Sequence, residues 1–434
     1  HFYYLGVLLE NSSEFLGNTF IRKHLFMDIS IQLSKLKNHQ SVQITGSKSE
    51  SNRLLLLQAL FPQIEIENVS NSDDSVLMQR ALQSKDSLID IHHAGTAMRF
   101  LTAYFSIQNE REITITGSPR MKERPIKILV DALKILGADI SYLENDGFPP
   151  LKIVGEKLTV NKVTLEANVS SQYISALLLI ASKLENGLEL TLEGNITSVP
   201  YIKMTLSLLD SIGIETHFKG NVIKVKPATK TIDKQILVVE SDWSSASYFY
   251  SLIALSEVGT EITISSYKEK SLQGDSVLAT IYKSFGVKTS FSNQKITLKK
   301  TDFIYSKSLV ELDLKNAPDI AQTIAVTAFG LGLECYMIGL HTLKIKETDR
   351  LVALKTELEK LGANVIITEA TLHLESSKNI NTDITIATYN DHRMAMAFAP
   401  LGLKTPIKIE NADVVSKSYP QFWEDFKAIG FHLK

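Results

Sequence analysis

The sequence is short of cysteine, of proline and of excess charge, and each shortage excludes a class of protein. Its 434 residues include one cysteine, Cys335, so neither an internal disulfide nor a cysteine-based metal site is available. The 11 prolines and the hydrophobic content of 44% argue against a disordered chain. A formal net charge of −2 lacks the basic excess of nucleic-acid-binding proteins, and no apolar run approaches the ~18 residues of a membrane span. We therefore expect a well-packed protein of the reducing cytoplasm.

At 434 residues the chain is long for one hydrophobic core, and ~150 residues per domain predicts two or three domains. The first 26 residues differ from the remainder. The sequence starts with His1, and the apolar run FYYLGVLLE lacks the basic leader of a signal peptide. We interpret Met27 as the natural start and residues 1–26 as an upstream or non-native extension.

Residues 44–60 (ITGSKSESNRLLLLQAL) carry the first chemical signal. Glycine and hydroxyl residues precede a leucine-rich run, which is typical of a loop that enters a buried helix. The unpaired backbone N–H groups at such a helix start attract anions, and Lys48 and Arg53 add positive charge beside them. The stretch therefore predicts a phosphate or carboxylate site, although a capped core helix without a ligand would show the same pattern.

Five later stretches repeat this transition from small polar residues to an apolar helix. One anchor residue can be chosen in each of the six stretches: Ser49, Gly95, Ser171, Ser244, Asp319 and Asp391. The last four intervals between anchors are nearly equal, from 72 to 76 residues. A period of this length indicates repeated subdomains rather than the turns of a solenoid.

A second pattern lies between these stretches, in which apolar residues at helical spacing are followed by a glycine and a strand-like run. Its examples are RPIKILVDALKILGADI, YIKMTLSLLDSIGIET, DSVLATIYKSFGVKT, RLVALKTELEKLGANV and QFWEDFKAIGF. The glycine stands where a helix end needs a left-handed residue, and a short hairpin follows. The chain is thus predicted to repeat a unit of helix, strand, helix and hairpin about six times, with the first unit shortened.

Positive residues accompany the repeated helix starts. Eight cations lie in or beside these stretches: Lys48, Arg53, Arg99, Arg124, Lys346, Arg350, Arg393 and Lys417. Because the whole chain is almost neutral, their clustering indicates a local site for strongly anionic small molecules. The alternative is that each is an ordinary solvated or salt-bridged residue.

Eight motifs in this order resemble the 5-enolpyruvylshikimate-3-phosphate (EPSP) synthase family. They are GSKSESNR, AGTAMR, GSPRMKERPI, SSQY, SVPYIKMTL, KIKETDRL, YNDHRMAMA and SKSYPQF, and the resemblance runs from about residue 42 to the C-terminus. It implies a two-domain inside-out α/β barrel, with three repeated βαβαββ-type units in each domain. The implied domains are residues 27–46 with 241–434, and residues 47–240, with the active site in the cleft between them.

The resemblance also implies the reaction. The enolpyruvyl group of phosphoenolpyruvate is transferred to the 5-hydroxyl of shikimate 3-phosphate, through a tetrahedral intermediate, and phosphate is released without any cofactor or metal. By motif position, Asp319 accepts the hydroxyl proton, and Glu347 with Lys48 handles the proton at the methylene carbon. From the residues alone, Asp319 is also a candidate helix N-cap, a role compatible with catalysis, and Glu347 could instead be an acid favoured at a helix start.

The substrate-binding residues implied by the resemblance fall into two overlapping sets. Those for shikimate 3-phosphate are Lys48, Ser49, Arg53, Ser170, Ser171, Gln172, Ser198, Tyr201, Asp319, Thr342 and Lys346. Those for phosphoenolpyruvate are Lys48, Gly95, Arg124, Gln172, Arg350, His392, Arg393 and Lys417. The resemblance further implies a monomer whose only partners are these small molecules, domain closure on substrate, and inhibition by glyphosate in the phosphoenolpyruvate pocket.

The chain departs from the family pattern at four places near these motifs. His92 and His93 replace a Gly-Asn pair, Phe100 replaces a proline, Thr342 replaces an asparagine, and Thr45 replaces a proline. None of these positions belongs to the proposed acid–base set. Phe100 leaves the backbone φ of its helix unconstrained where proline would fix it.

Two other functions fit parts of the pattern. The sister family, which transfers enolpyruvyl to UDP-N-acetylglucosamine, typically carries a cysteine, occasionally an aspartate, on a loop near residues 110–125, and this chain has no cysteine there. A non-catalytic anion-binding protein would also need the cations. Retention of Lys48, Asp319, Glu347 and Arg393 favours a catalyst.

Overall fold

A computed structural model describes residues 27–166, 170–196, 199–302 and 309–434. The predicted extension, residues 1–26, and the predicted ligand Ser198 lie outside the described residues. The described chain is a mixed α/β protein, as the sequence predicts. None of its helices combines the length and the apolar character that crossing a membrane requires.

The described part contains 21 strands and 13 α-helices. The strands are β1 Ile29–Ile31, β2 Gln40–Gln43, β3 Ile64–Glu67, β4 Leu88–Asp90, β5 Glu112–Thr116, β6 Asp139–Tyr142, β7 Leu151–Val154, β8 Lys162–Glu166, β9 Leu188–Glu193, β10 Thr216–Lys219, β11 Val222–Val225, β12 Gln235–Val238, β13 Glu261–Ser265, β14 Val287–Ser292, β15 Lys295–Lys300, β16 Leu309–Asp313, β17 Glu334–Ile338, β18 Val365–Ile367, β19 Leu372–Leu374, β20 Ile384–Ile386 and β21 Ile407–Ile409. The helices are α1 Lys48–Leu60, α2 Asp73–Gln83, α3 Gly95–Ser106, α4 Pro119–Lys122, α5 Lys127–Leu136, α6 Ser171–Ala181, α7 Val199–Ser211, α8 Trp243–Leu255, α9 Leu278–Ile281, α10 Ala321–Gly330, α11 Arg350–Lys360, α12 His392–Phe398 and α13 Phe422–Ala428.

Four sheets share one strand arrangement: β4-β5-β7-β6, β8-β9-β11-β10, β2-β13-β15-β14 and β16-β17-β19-β18. In each, the first two strands are parallel and the other pairs are antiparallel. A parallel pair needs a crossover whereas a hairpin does not. In three of these sheets α3, α6 or α10 joins the parallel strands, while β2 and β13 are joined by residues 44–260, which include α1 to α8. Segments of two to eight residues join the last two strands of each sheet. The β20-β21-β1 sheet follows the same order, and a bridge from Ile31 to Leu433 supplies its fourth strand position. The sixth sheet holds only β12 and β3.

The predicted helix starts are confirmed. Each of the six anchor stretches begins a helix within two residues of its anchor: α1, α3, α6, α8, α10 and α12. Every residue of α3 and of α8 is buried, because these helices lie within the core and Arg99 is the one charged residue in either of them.

The predicted helix-ending glycines are also confirmed. Gly137, Gly213, Gly286, Gly362 and Gly430 all have positive φ, between 76° and 118°, which side chains with a β-carbon rarely adopt. One of the preceding segments is not a continuous helix. Residues 274–285 form a 3₁₀ turn, the four-residue α9 and a second 3₁₀ turn.

Two hydrophobic clusters divide the buried residues. One contains side chains from residues 29–44 and 243–431, and the other contains side chains from residues 54–239. We call the surrounding parts of the chain the terminal lobe and the central lobe. The chain passes between them at Gly46 and Ser241, which form an antiparallel bridge. A β-carbon on Gly46 would lie 1.9 Å from the carbonyl oxygen of Asn68, so only glycine fits this crossing.

Candidate functional site

The predicted cations come together where helix starts of both lobes meet. Lys48 is the first residue of α1, and Arg124 follows α4, so both belong to the central lobe. Arg350 opens α11 and Arg393 lies in the first turn of α12, both in the terminal lobe. Backbone N–H groups at these helix starts add positive potential to that of the side chains.

Arg350 holds three carboxylates together. Its Nε donates to Asp391 Oδ2 at 2.6 Å, its Nη1 to Asp319 Oδ1 at 2.9 Å, and its Nη2 to Glu347 Oε2 at 2.8 Å. The side chain is only 2% exposed. Each of its guanidinium nitrogens therefore already has an anionic partner, and two of these partners, Asp319 and Glu347, are the carboxylates that the resemblance predicts to be acid–base residues.

Asp319 lies among three cations. Besides Arg350, the Nζ of Lys346 is 3.4 Å from Oδ1 and the Nη2 of Arg393 is 3.4 Å from Oδ2. Burial would raise the pKa of Asp319, but these three cations hold it well below its usual range. The alternative reading of Asp319 as a helix N-cap is wrong: it lies inside a 3₁₀ turn that precedes α10, and its carboxylate makes ion pairs instead.

Glu347 couples the two lobes electrostatically. It precedes α11, whose N-cap is Asp349, so it is not a residue of the first helical turn. Burial would raise its pKa, but Arg350 and, from the central lobe, Arg124 and Lys48 hold the pKa well below its usual range. Glu347 is therefore an ionised carboxylate at neutral pH, facing cations of both lobes.

Lys48 and Arg124 are the cations left open to a ligand. In the described ranges neither side chain makes a hydrogen bond or an ion pair with another residue. Arg124 lies against Gly95, because a β-carbon on Gly95 would be 2.4 Å from Nη1 of Arg124. The Nζ of Lys417 donates to the carbonyl oxygen of Asn390 at 2.7 Å, and burial lowers its pKa.

His392 is buried beside this group at the start of α12. Within the described chain, neither of its ring nitrogens makes a hydrogen bond. Burial, helped by nearby Lys48 and Arg393, holds its pKa well below the usual value, so the ring is neutral at physiological pH. A neutral imidazole can donate one hydrogen bond and accept another from a ligand.

A second group of predicted residues lies in the central lobe. Arg53 is buried, and it donates from Nε to Thr205 Oγ1 at 2.8 Å, from Nη1 to the carbonyl oxygen of Ser49 at 2.6 Å, and from Nη2 to Ser175 Oγ at 2.9 Å. Burial lowers its pKa to about 10, which leaves it charged at neutral pH. Its guanidinium also lies 5.9 Å from the ring centroid of Tyr201.

The remaining predicted substrate-binding residues differ in the contacts they make near the site. Ser170 caps α6 by accepting from the N–H of Gln172, and the Nε2 of Gln172 donates to Thr96 Oγ1 at 3.3 Å, next to Gly95. Ser171 follows as the first residue of α6. Thr342 Oγ1 is buried and makes no hydrogen bond within the described chain, but the 3₁₀ turn that carries Thr342 packs against the 3₁₀ turn that carries Asp319.

Three carboxylates at the site were missed as functional residues in the sequence. Asp391 caps α12 and accepts from Arg350, Asp74 is buried near Lys48 and Arg124, and Asp275 is buried near Asp319 and Arg393. Asp391 had a signal, since an aspartate before an apolar helix is a common N-cap. Asp74 and Asp275 had none, because both stand in segments that look like exposed helix starts.

The fold and the site together define a two-lobed α/β protein whose predicted cations gather where its lobes meet. Among the described residues no group of three metal-ligating side chains could hold a metal ion. Residues 79–426 match the family described as EPSP synthase (3-phosphoshikimate 1-carboxyvinyltransferase). The chain belongs to the EPSP synthase family.

Individual relatives support this assignment. A 3-phosphoshikimate 1-carboxyvinyltransferase of Bacteroides fragilis is 44% identical, covering 91% of this chain and 96% of its own length. The protein of the same name from Haemophilus influenzae is 36% identical, and the match covers 90% of this chain and 96% of the relative. A solved EPSP synthase from Acinetobacter baumannii superposes with a TM-score of 0.76 at 20% identity, over 94% of this chain and 99% of its own, so the fold is shared. The resemblance stated from the motifs is confirmed.

Proposed function

We propose that the cluster between the lobes is the active site of this chain. The chain catalyses the reaction of its family: it transfers the enolpyruvyl group of phosphoenolpyruvate to shikimate 3-phosphate and releases phosphate, a step of aromatic biosynthesis. The observation that carries the assignment of the site is that Lys48 and Arg124 of one lobe act on Glu347, which Arg350 of the other lobe holds. Cations from both lobes thus surround an ionised carboxylate, as an addition and elimination around a phosphate requires.

For phosphoenolpyruvate, the open cations Lys48 and Arg124 and the more buried Arg393 and Lys417 take the phosphate and the carboxylate. The absence of a side chain at Gly95 lets the guanidinium of Arg124 lie against it, and His392 offers a neutral hydrogen-bonding ring. Arg350 has its nitrogens engaged by carboxylates, so we assign it chiefly to orienting Asp319 and Glu347, with any contact to the ligand through its remaining N–H.

For shikimate 3-phosphate, Ser49 and Arg53 bind the carboxylate end, while Ser170, Ser171, Ser198 and Lys346 take the 3-phosphate. Gln172 and Tyr201 line the ring, and Thr342 stands where the family has an asparagine that contacts substrate. Hydroxyl groups bind a phosphate without adding buried charge, which suits a site already rich in cations.

Asp319 is proposed as the base for the 5-hydroxyl, although the cations around it make it a weak base before substrate binds. The substrate phosphates are the natural partners of Lys346 and Arg393. When those cations turn to phosphate, the stabilisation of the Asp319 carboxylate falls and its pKa rises toward the range of a useful base. Binding of the anions therefore prepares the base.

The proton at the methylene carbon is proposed to pass between this carbon and the pair Lys48 and Glu347. Addition of the hydroxyl oxygen to the carbon of phosphoenolpyruvate that bears the phosphate gives the tetrahedral intermediate, with the methylene protonated to a methyl group. Elimination then removes a methyl proton and expels phosphate, whose charge the surrounding cations stabilise. No metal or cofactor takes part in this scheme.

The finer architecture is also a proposal. We propose that the lobes are domains formed by residues 27–46 with 241–434 and by residues 47–240, each an inside-out arrangement of three βαβαββ-type units. The two hydrophobic clusters and the four sheets of equal strand order support this. We further propose a monomer located in the cytoplasm.

The test is phosphate release from phosphoenolpyruvate by the purified chain. We expect release that depends on shikimate 3-phosphate and does not occur with UDP-N-acetylglucosamine. Unphosphorylated shikimate serves as the matched control for the 3-phosphate group. Release with the nucleotide sugar alone would overturn the assignment.

A further inference from the structure

A buried carboxylate outside the predicted acid–base set is linked to the site through a hydroxyl group. Ser244 Oγ donates a hydrogen bond to Asp275 Oδ2. The Nη2 of Arg393 donates to the same Oγ at 3.2 Å, and this Nη2 is 3.4 Å from Asp319 Oδ2. Asp275, Ser244, Arg393 and Asp319 therefore form one connected chain of polar contacts.

We propose that Asp275 is a positioning residue for the reaction, which through Ser244 holds the guanidinium of Arg393 where it meets both Asp319 and the phosphate of bound phosphoenolpyruvate. This inference rests on the proposed function, because it assigns Arg393 to that ligand. Its chemistry is electrostatic: the Asp275 carboxylate polarises the Ser244 hydroxyl, and a polarised hydroxyl oxygen is a stronger acceptor for the Arg393 N–H.

The backbone around Asp275 is fixed in place from two sides. Gln273 accepts from the N–H of Trp243 at 2.9 Å and donates to the carbonyl oxygen of Ser241 at 2.9 Å, which fastens the turn to the start of α8. A β-carbon on Gly274 would lie 2.6 Å from the carbonyl oxygen of Asn316 and 3.1 Å from Pro200 Cβ of the central lobe. The turn that carries Asp275 thus packs against α7, which carries Tyr201.

The surroundings of Asp275 show why its charge matters. It is only 4% exposed, and its Oδ1 makes no hydrogen bond within the described chain. The charged groups that act on it are Asp319 and Asp242, which repel it, and Arg393, which attracts it. Burial, with Asp319 next, raises its pKa to about 6. Burial of a carboxylate with so few polar partners costs free energy. The group that its negative charge stabilises is the guanidinium of Arg393.

Arg393 divides its Nη2 between Ser244 and Asp319, and its Nε makes no hydrogen bond within the described part of the chain. Without the anchor at Ser244, the guanidinium would turn fully toward Asp319. It would then neutralise the proposed base more strongly and present fewer N–H groups to the ligand.

The experiment is a double-mutant cycle of Asp275→Asn and Ser244→Ala, with steady-state kinetics for both substrates. Each single variant is expected to raise the KM for phosphoenolpyruvate about tenfold, the size of a lost hydrogen bond to a charged group, with little change in the KM for shikimate 3-phosphate. The double variant is expected to match the single variants, because both changes break the same link. Ser244→Thr, which keeps the hydroxyl, is expected to have the wild-type KM for phosphoenolpyruvate.

Asp425→Asn is the matched control, since this carboxylate also accepts from a hydroxyl, that of Tyr419, and burial also raises its pKa. It should leave both KM values unchanged. Thermal unfolding separates misfolding from mispositioning, and if Asp275→Asn does not fold, Ser244→Ala against Ser244→Thr carries the test. Additive effects in the cycle, or an Ala variant equal to wild type, would overturn the inference.

The pH profile supplies an independent readout. The ratio of kcat/KM for phosphoenolpyruvate between wild type and Asp275→Asn cancels the ionisation of the substrates. Because Asp275 acts as a carboxylate, the ratio should be near one at pH 5 and rise through about pH 6 to a plateau. A flat ratio would contradict the role of the charge. Absence of any shikimate 3-phosphate-dependent activity in wild type would instead refute the proposed function.

Discussion

The guanidinium of Arg53 lies over the ring of Phe100, with Cζ 5.4 Å from the ring centroid. Phe100 stands where the family usually has proline. It is fully buried within α3 and packs beneath a predicted substrate-binding arginine. The substitution thus acts on the site through its ring.

Phe100→Leu is expected to raise the KM for shikimate 3-phosphate about three- to tenfold. Leucine keeps most of the buried apolar volume but removes the aromatic face that attracts the Arg53 cation, an interaction typically worth ~0.5–2 kcal/mol. Steady-state kinetics at saturating phosphoenolpyruvate measures the effect.

The control lies on the same helix. Arg111 Cζ is 4.7 Å from the ring centroid of Phe105, so Phe105→Leu removes the same kind of contact at the other end of α3. It should lower stability without changing either KM. If both variants changed the KM for shikimate 3-phosphate equally, the effect would come from the packing of α3 and not from Arg53.

Gly95→Ala is expected to raise the inhibition constant of glyphosate and also the KM for phosphoenolpyruvate. Because the new β-carbon would lie 2.4 Å from Nη1 of Arg124, the guanidinium must move, and both ligands depend on it. Competitive inhibition against phosphoenolpyruvate gives both constants. An unchanged KM with a raised inhibition constant would show that Arg124 adapts without loss.

Asp319→Asn and Glu347→Gln are each expected to lower turnover by about 10² to 10⁴-fold while substrate affinity is kept. Each change keeps the shape of the side chain and removes proton transfer. It also frees cations that the carboxylate had occupied, namely Lys346 and Arg393 around Asp319, so anion binding should not weaken.

Equilibrium binding measured beside kinetics separates the two effects. Asp349→Asn is the control, because Asp349 only caps α11 through the N–H groups of Leu351 and Val352, and asparagine caps equally well. Unchanged turnover with a raised KM would reassign the altered carboxylate to binding.

Glu50→Gln is expected to be more stable than the wild type at pH 8 but not at pH 5. Burial raises the pKa of Glu50 to about 7, while Lys268 opposes and the neighbouring Glu240 adds to the rise. The folded state thus holds the Glu50 proton more tightly than the unfolded state does. The stability that this proton contributes is fully present below the pKa of Glu50 in the unfolded chain, and it is lost as pH rises through about 7.

Glutamine removes that loss, which amounts to about 3 kcal/mol at most. It also keeps the oxygen that accepts from the N–H of Glu240 where the chain crosses between lobes. Denaturant unfolding of both proteins at the two pH values measures the difference. Equal pH dependence in wild type and variant would show that Glu50 has an ordinary pKa.

Shikimate 3-phosphate is expected to draw the lobes together. Contacts between the lobes already include Ser416 Oγ to Asp73 Oδ2 at 2.6 Å and Asn71 Nδ2 to Gln421 Oε1 at 2.8 Å. Cations of both lobes repel one another across the site, and a bound anion offsets this repulsion. Small-angle scattering should show a smaller radius of gyration with shikimate 3-phosphate than with shikimate. The same radius at saturating ligand would count against closure.

Much of the fold was predictable because its signals are local. The left-handed backbone at Gly137 and Gly362 needs glycine, so the sequence marks these helix ends directly. Small polar residues before apolar runs likewise marked α1 and α3. The prediction of one continuous helix around α9 was wrong, because the helical spacing of the apolar residues does not reveal the two 3₁₀ turns beside α9.

By itself the sequence determined the helix starts, the α/β class, the family and the residue types of the site. Only the tertiary structure decided which charges meet. Arg350 joins Asp319 and Asp391, which are 31 and 41 residues away, and Asp275 reaches Arg393 through Ser244. The physical reason is that ion pairing and pKa depend on burial and distance between remote segments, which packing sets and no local pattern encodes.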